Sequence, residues 1–171
     1  FADAVRIERL AAVQAESAVP TLSPPEFELT NAEVAPLLQR AADTWTAADQ
    51  NAQGRLSSVN LVIGQLPGSV LGLASEPTST IWLDSNGAGS GWQLESNALR
   101  RGDASLSPGR FDLFTVVAHE LGHLLGYGDL DPLAHPDALM ASHLSVGARK
   151  LPAGMGLDTL PNALTAPAAN D

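Results

Sequence analysis

The sequence predicts an α+β domain. Three observations carry that reading. Apolar residues recur at helical spacing over residues 34–45, and short β-rich runs follow between residues 57 and 84. A second apolar helical stretch, with its own start and stop signals, then occupies residues 112–125. Helix, strands and helix follow one another in blocks and do not alternate as βα units, which is the α+β order. The chain has 171 residues and 44% hydrophobic content, enough for one domain with a real core.

Residues 1–18 are expected to form a helix, with Val5, Leu10 and Val13 near one face and alanine favouring it. Pro20, Pro24 and Pro25 then force an extended segment. Residues 1–30 are therefore read as an N-terminal arm or leading segment, 31–164 as the main domain, and 165–171 as a frayed tail. Thr30 or Asn31 caps a helix over about 31–49, with Glu33 in its first turn. Val34, Leu37, Leu38, Ala41, Ala42 and Trp45 form its apolar face; Pro36 lies inside it, and Asn51 to Gly54 ends it. Residues 57–64, 70–74 and 80–84 read as strands, and residues 85–91, rich in glycine and asparagine, as a loop. That loop lacks the lysine and the following helix start of a phosphate-binding motif. A polar loop is expected over 95–109, and a last short helix over 157–164. Trp45, Trp82 and Trp92 read as core aromatics.

Net charge is −10, and no basic face for nucleic acid is visible. No apolar run is long enough to span a membrane, and the N-terminus has no apolar signal-peptide core. Cysteine is absent, which removes disulfides, thiol nucleophiles and thiolate ligands together. Any metal must be held by His, Asp, Glu or backbone oxygen.

The chemistry concentrates in residues 115–129. Asp112 is the expected cap of this helix, Phe111 and Val116 are placed as a hydrophobic staple, and Gly126 stops it in a left-handed conformation. His119 and His123 stand four residues apart, so one helix face presents both imidazoles to one ion. Glu120 lies about 100° round the helix from His119. From there it reaches a water beside the ion and is the candidate general base. A catalytic zinc with two imidazoles needs a third protein ligand and one open position. Asp129 arrives ten residues after His119, once Gly126 has let the chain reverse. Asp131 and His135 are its rivals for that place. Asp84 and Asp103 are candidate calcium ligands, and His143 is read as a surface or pocket-wall residue.

The full pattern H-E-x-x-H-x-x-G-x-x-D resembles the metzincin clan of zinc endopeptidases. An aspartate where most members carry a third histidine looks like the small bacterial secreted proteases of the snapalysin type. Ala138-Leu139-Met140 is similar to the clan's Met-turn, a tight turn carrying a methionine beneath the metal. The order of elements over 31–145 resembles a matrixin-like catalytic domain. The resemblance implies a metzincin-like zincin with a small mixed twisted sheet, an N-terminal-half helix, an active-site helix and a Met-turn subdomain. It also implies a Zn2+ cofactor, a protein or peptide substrate, and a secreted or cell-surface location. Leu71, Gly72, Leu73 and Ala74 are similar to the edge strand that such enzymes pair with substrate. Two departures are visible: no tyrosine follows Met140, and no structural-zinc histidines stand near residues 70–84. Two other classes fit the same residues, a zinc-binding module without turnover and a protease that processes its own parent chain.

Overall fold

The structure is a computed structural model that describes residues 11–15, 28–94 and 109–152. It is mixed α and β, as the order of elements predicts. A five-stranded sheet contains β1 (Ala11–Ala15), β2 (Asn60–Gly64), β3 (Val70–Ser75), β4 (Thr80–Asp84) and β7 (His143–Leu144) in the order β2-β4-β3-β1-β7. The pairs β2–β4 and β1–β7 are parallel, while β4–β3 and β3–β1 are antiparallel. A separate two-stranded parallel pair joins β5 (Trp92–Gln93) to β6 (Phe111–Asp112).

Helix α1 (Asn31–Ala48) buries Val34, Leu37, Ala41 and Trp45, the spacing expected of one face. Its start is fixed by a capping box in which the Thr30 backbone N–H donates to the Glu33 carboxylate at 2.9 Å. Pro36 is accommodated within the helix, which begins at Asn31. A single turn of helix, α2 (Ala52–Arg55), follows. The central element is α3 (Leu113–Leu124), every residue of which is buried. A helix apolar on most of its circumference requires cover all round. The cover comes from α1 on one side and from β3 and β1 on the other. Trp45 ties the two helices, donating its indole N–H to the Ala118 carbonyl at 2.8 Å.

Three expectations need correction. Residues 11–15 are a strand and not part of a helix. Alanine favours helix, but so short a stretch gains little from helical bonds of its own. Between β3 and β7 it finds backbone partners on both sides, and Val13 is buried there. The leading segment therefore contributes a strand to the main sheet. The strand expected over 57–64 begins only at Asn60, because Ser57 closes a turn by donating its hydroxyl to Gly54 O at 2.9 Å. Gly72 and its neighbours do not form a free edge, since β1 lies against them. The rest of the helix expected over 1–18, most of the 95–109 loop, the 157–164 helix and Asp103 lie outside the described residues.

Candidate metal centre

Asp112 starts α3 as expected, its carboxylate accepting from the Thr115 N–H at 3.1 Å and from the Thr115 hydroxyl at 2.7 Å. Burial raises its pKa despite those bonds and the nearby Arg149. The end of α3 is a Schellman turn. Gly126 has φ 90°, its N–H donates to His123 O at 3.0 Å, and the Tyr127 N–H donates to Gly122 O at 3.0 Å. Arg55 completes the cap by donating to Leu125 O at 2.7 Å, and it pairs outward with Glu76. The reversed chain is then clamped. The Leu130 N–H donates to Met140 O at 2.8 Å and the Ser142 N–H to Leu130 O at 3.1 Å, which fixes Asp129 beside the helix.

These local structures bring three ligand atoms together. His119 Nε2 and His123 Nε2 lie 2.9 Å apart, and Asp129 Oδ1 lies 3.3 Å from the first and 3.4 Å from the second. Ligand atoms about 2.0–2.1 Å from a tetrahedral zinc stand roughly 3.3 Å from one another. The tautomers are dictated by the other ring nitrogens. His119 Nδ1 faces Leu139 O at 2.8 Å and His123 Nδ1 faces Tyr127 O at 2.8 Å. A carbonyl only accepts, so each Nδ1 carries a proton, and in the neutral ring each Nε2 then presents a lone pair. Two imidazole nitrogens and a carboxylate oxygen so close together form a group that could hold a metal ion.

Burial lowers the His119 pKa, against the pull of Asp129. Burial alone would raise Asp129, but its contacts to both imidazoles outweigh that and hold it well below the usual carboxylate range. A neutral imidazole and an ionised aspartate form an acceptor-only donor set of the kind zinc takes. Among the described residues, His119, His123 and Asp129 are the group that could hold a metal.

The rivals stand elsewhere. Asp131 accepts from the Leu133 N–H at 2.9 Å in an exposed turn, and His135 belongs to that turn, its N–H donating to Asp131 O at 2.9 Å. Asp84, the candidate calcium ligand, has its carboxylate taken by the backbone N–H groups of Leu66, Asn86 and Ala88 at 2.8–3.0 Å. It thereby organises the glycine-rich loop. His143 is half-buried in β7.

Scanned against protein-family models, curated proteins and solved structures, the chain matches none. What it can do must be read from its own geometry.

Met140 is buried against α3, where a Cβ on Gly122 would stand 2.5 Å from its sulfur and 2.9 Å from the Trp45 ring. Glu120 is wholly buried. Its Oε1 accepts from the Val13 N–H at 3.3 Å, and its Oε2 has no partner. Burial pushes its pKa well above the carboxylate range. Gly72 lies directly over it, so that a Cβ there would be 2.6 Å from Oε1. Sequence reasoning named Gly72, for substrate pairing, but not as a neighbour of Glu120. It missed the carbonyls of Tyr127 and Leu139 and the Val13 N–H altogether. Backbone groups carry no side-chain signal, so nothing in the residue pattern could have marked them.

Proposed function

We propose that the chain is a zinc-dependent endopeptidase with His119, His123 and Asp129 as ligands and Glu120 as general base. The observation that carries this is the convergence of three possible ligand atoms within 3.4 Å, one residue along the helix from a buried carboxylate. Zinc, when bound, supplies Lewis acidity that polarises a peptide carbonyl and acidifies water. Leu139 and Tyr127 hold both imidazoles in the ligating tautomer. Glu120 takes the proton of the attacking water and passes it to the leaving amine. Burial raises the pKa of Glu120, which makes its carboxylate a stronger base toward the water proton. An extended substrate could pair with the backbone of Val70 to Ala74 in β3 only where β1 now lies. A metzincin-like, secreted role accords with this site, and so does the turn of residues 138–141 that bears Met140, whose Leu139 carbonyl orients His119.

One observation favours the second reading, a zinc-binding module without turnover: Glu120 is closed off from solvent. Two measurements test the zinc site, and a third separates the readings. Purified without chelator, the chain should carry close to one equivalent of zinc, and less than about half would count heavily against the site. Asp129→Ala should lose zinc far more readily than His135→Ala; the opposite ranking would move the third ligand to His135. Wild-type protein should cleave casein or a reporter peptide, and Glu120→Ala should not. Equal rates for the two proteins, and again when both carry a substitution that unseats β1, would end the enzyme reading, leaving zinc to act on stability alone.

A further inference from the structure

The proposed chemistry requires Glu120 to meet water and substrate, yet the structure seals it. What seals it is the chain itself. Strand β1 lies between β3, antiparallel, and β7, parallel, over α3. It is held by its backbone on each side. The Gln14 N–H donates to Ser142 O at 3.0 Å, the Ala15 N–H to Ser69 O at 2.9 Å, and the Val13 N–H to Glu120 Oε1 at 3.3 Å. Regular pairing with β3 breaks between Val13 and Gln14, beside the Glu120 contact. Side chains alternate: Val13 and Ala15 are buried, and Gln14 between them is exposed. This is how an extended peptide docks on a sheet, with main-chain bonds for grip and small pockets at alternate positions.

We infer that Ala11–Ala15 is a resident strap in the peptide groove, screening Glu120 until it is displaced. Resting on the endopeptidase reading, the inference adds regulation and a substrate class. The groove takes extended peptides with small apolar residues where Val13 and Ala15 now sit. Gly72 keeps it open at the base, because any larger residue would collide with Glu120. Twelve residues, 16–27, separate the strap in sequence from the described chain that leads into α1. Being covalently attached, it competes with outside peptides at an effective concentration on the order of millimolar.

The test uses the whole chain without added zinc, so binding is read apart from turnover. A fluorescent peptide with the sequence of residues 8–17 is titrated by anisotropy. Val13→Pro removes the N–H given to Glu120 and should unseat the strap, so this variant should bind the peptide at least ten-fold more tightly than wild type. A folded V13P that binds no better than wild type overturns the strap. Should V13P fail to fold, the paired positions Ala12 and Leu73 give the same reading. In a chain without other cysteines, Ala12→Cys with Leu73→Cys should join under mild oxidation and exclude the peptide, then admit it on reduction. Thiols that do not join in the folded chain, or a joined chain that binds as well as the reduced one, also overturn it. With zinc added, hydrolysis separates the two claims. Peptide binding by V13P without cleavage keeps the strap and sinks the protease. Equal cleavage and equal binding by V13P and wild type keep the protease and sink the strap.

Discussion

Replacing Gly72 with alanine tests the packing of the site at a single methyl group. The added carbon would stand 2.6 Å from Glu120 Oε1, 2.9 Å from its Cγ and 3.0 Å from its Cδ, closer than carbon atoms tolerate. Neither side has room to retreat. β3 is paired through Gly72 to Val13 on one flank and to Leu83 on the other, and Glu120 is fully buried. Overpacking of this kind costs about 1–3 kcal/mol. At about 2–4 °C per kcal/mol for a chain of this size, the melting temperature should fall by about 2–12 °C. Scanning calorimetry on the metal-free protein reads this, with Gly54→Ala as control, since a Cβ at Gly54 meets nothing within 4 Å. The decisive arm is the double variant Gly72→Ala with Glu120→Ala. The three atoms nearest the new methyl all belong to Glu120, so removing that carboxylate should recover most of the loss, a coupling of about 0.5–3 kcal/mol. Strictly additive effects would refute the contact, and a Gly72→Ala variant as stable as Gly54→Ala would refute the packing argument. In the zinc-loaded protein, the same displacement of Glu120 should lower kcat on the order of a hundred-fold.

Three further outcomes follow from the structure. Gly126→Ala meets only Arg55 Nη1 at 3.7 Å, so its cost should be the left-handed backbone alone, about 1–2 kcal/mol by denaturant titration. Zinc should dissociate faster from it, because that reversal delivers Asp129; unchanged zinc affinity would detach Asp129 from the turn. Trp45→Ala removes a buried ring stacked on Tyr127 at 5.0 Å and should cost about 3–5 kcal/mol. A loss under about 1 kcal/mol would mean that the two helices do not depend on it. Burial raises Asp112 above its ordinary 3.8. With the folded value raised, its stabilising contribution is fully present below 3.8 and is lost as pH rises through the folded value. Asp112→Asn should lack that decline, so the difference in melting temperature between variant and wild type should change across the window above pH 3.8; parallel curves would contradict the assignment.

The legible parts of the fold were those written in side-chain periodicity. Helix α1 announces its buried face through Val34, Leu37, Ala41 and Trp45, and α3 announces both ends through Asp112 and Gly126. Strand β1 was misread because its identity is not local. Ala11–Ala15 has the composition of a helix and becomes a strand only because β3 and β7 offer edges on either side. Those partners lie tens of residues away in sequence, and propensity counts none of that.

The metal centre divides in the same way. Spacing names His119, His123 and Asp129, since a helix and a turn decide which side chains can converge. It does not say what state they converge in. That depends on Leu139 and Tyr127, whose carbonyls accept a hydrogen bond from each Nδ1–H and so favour the neutral tautomer with its lone pair on Nε2. The Tyr127 carbonyl is in place because the Schellman turn at Gly126 folds it back over the last turn of α3. Leu139 is in place because the turn before Met140 packs under Gly122, where no side chain stands in its way. Two glycines and two carbonyls thus turn an H-E-x-x-H spacing into a close group of two imidazoles and a carboxylate that could hold a metal ion.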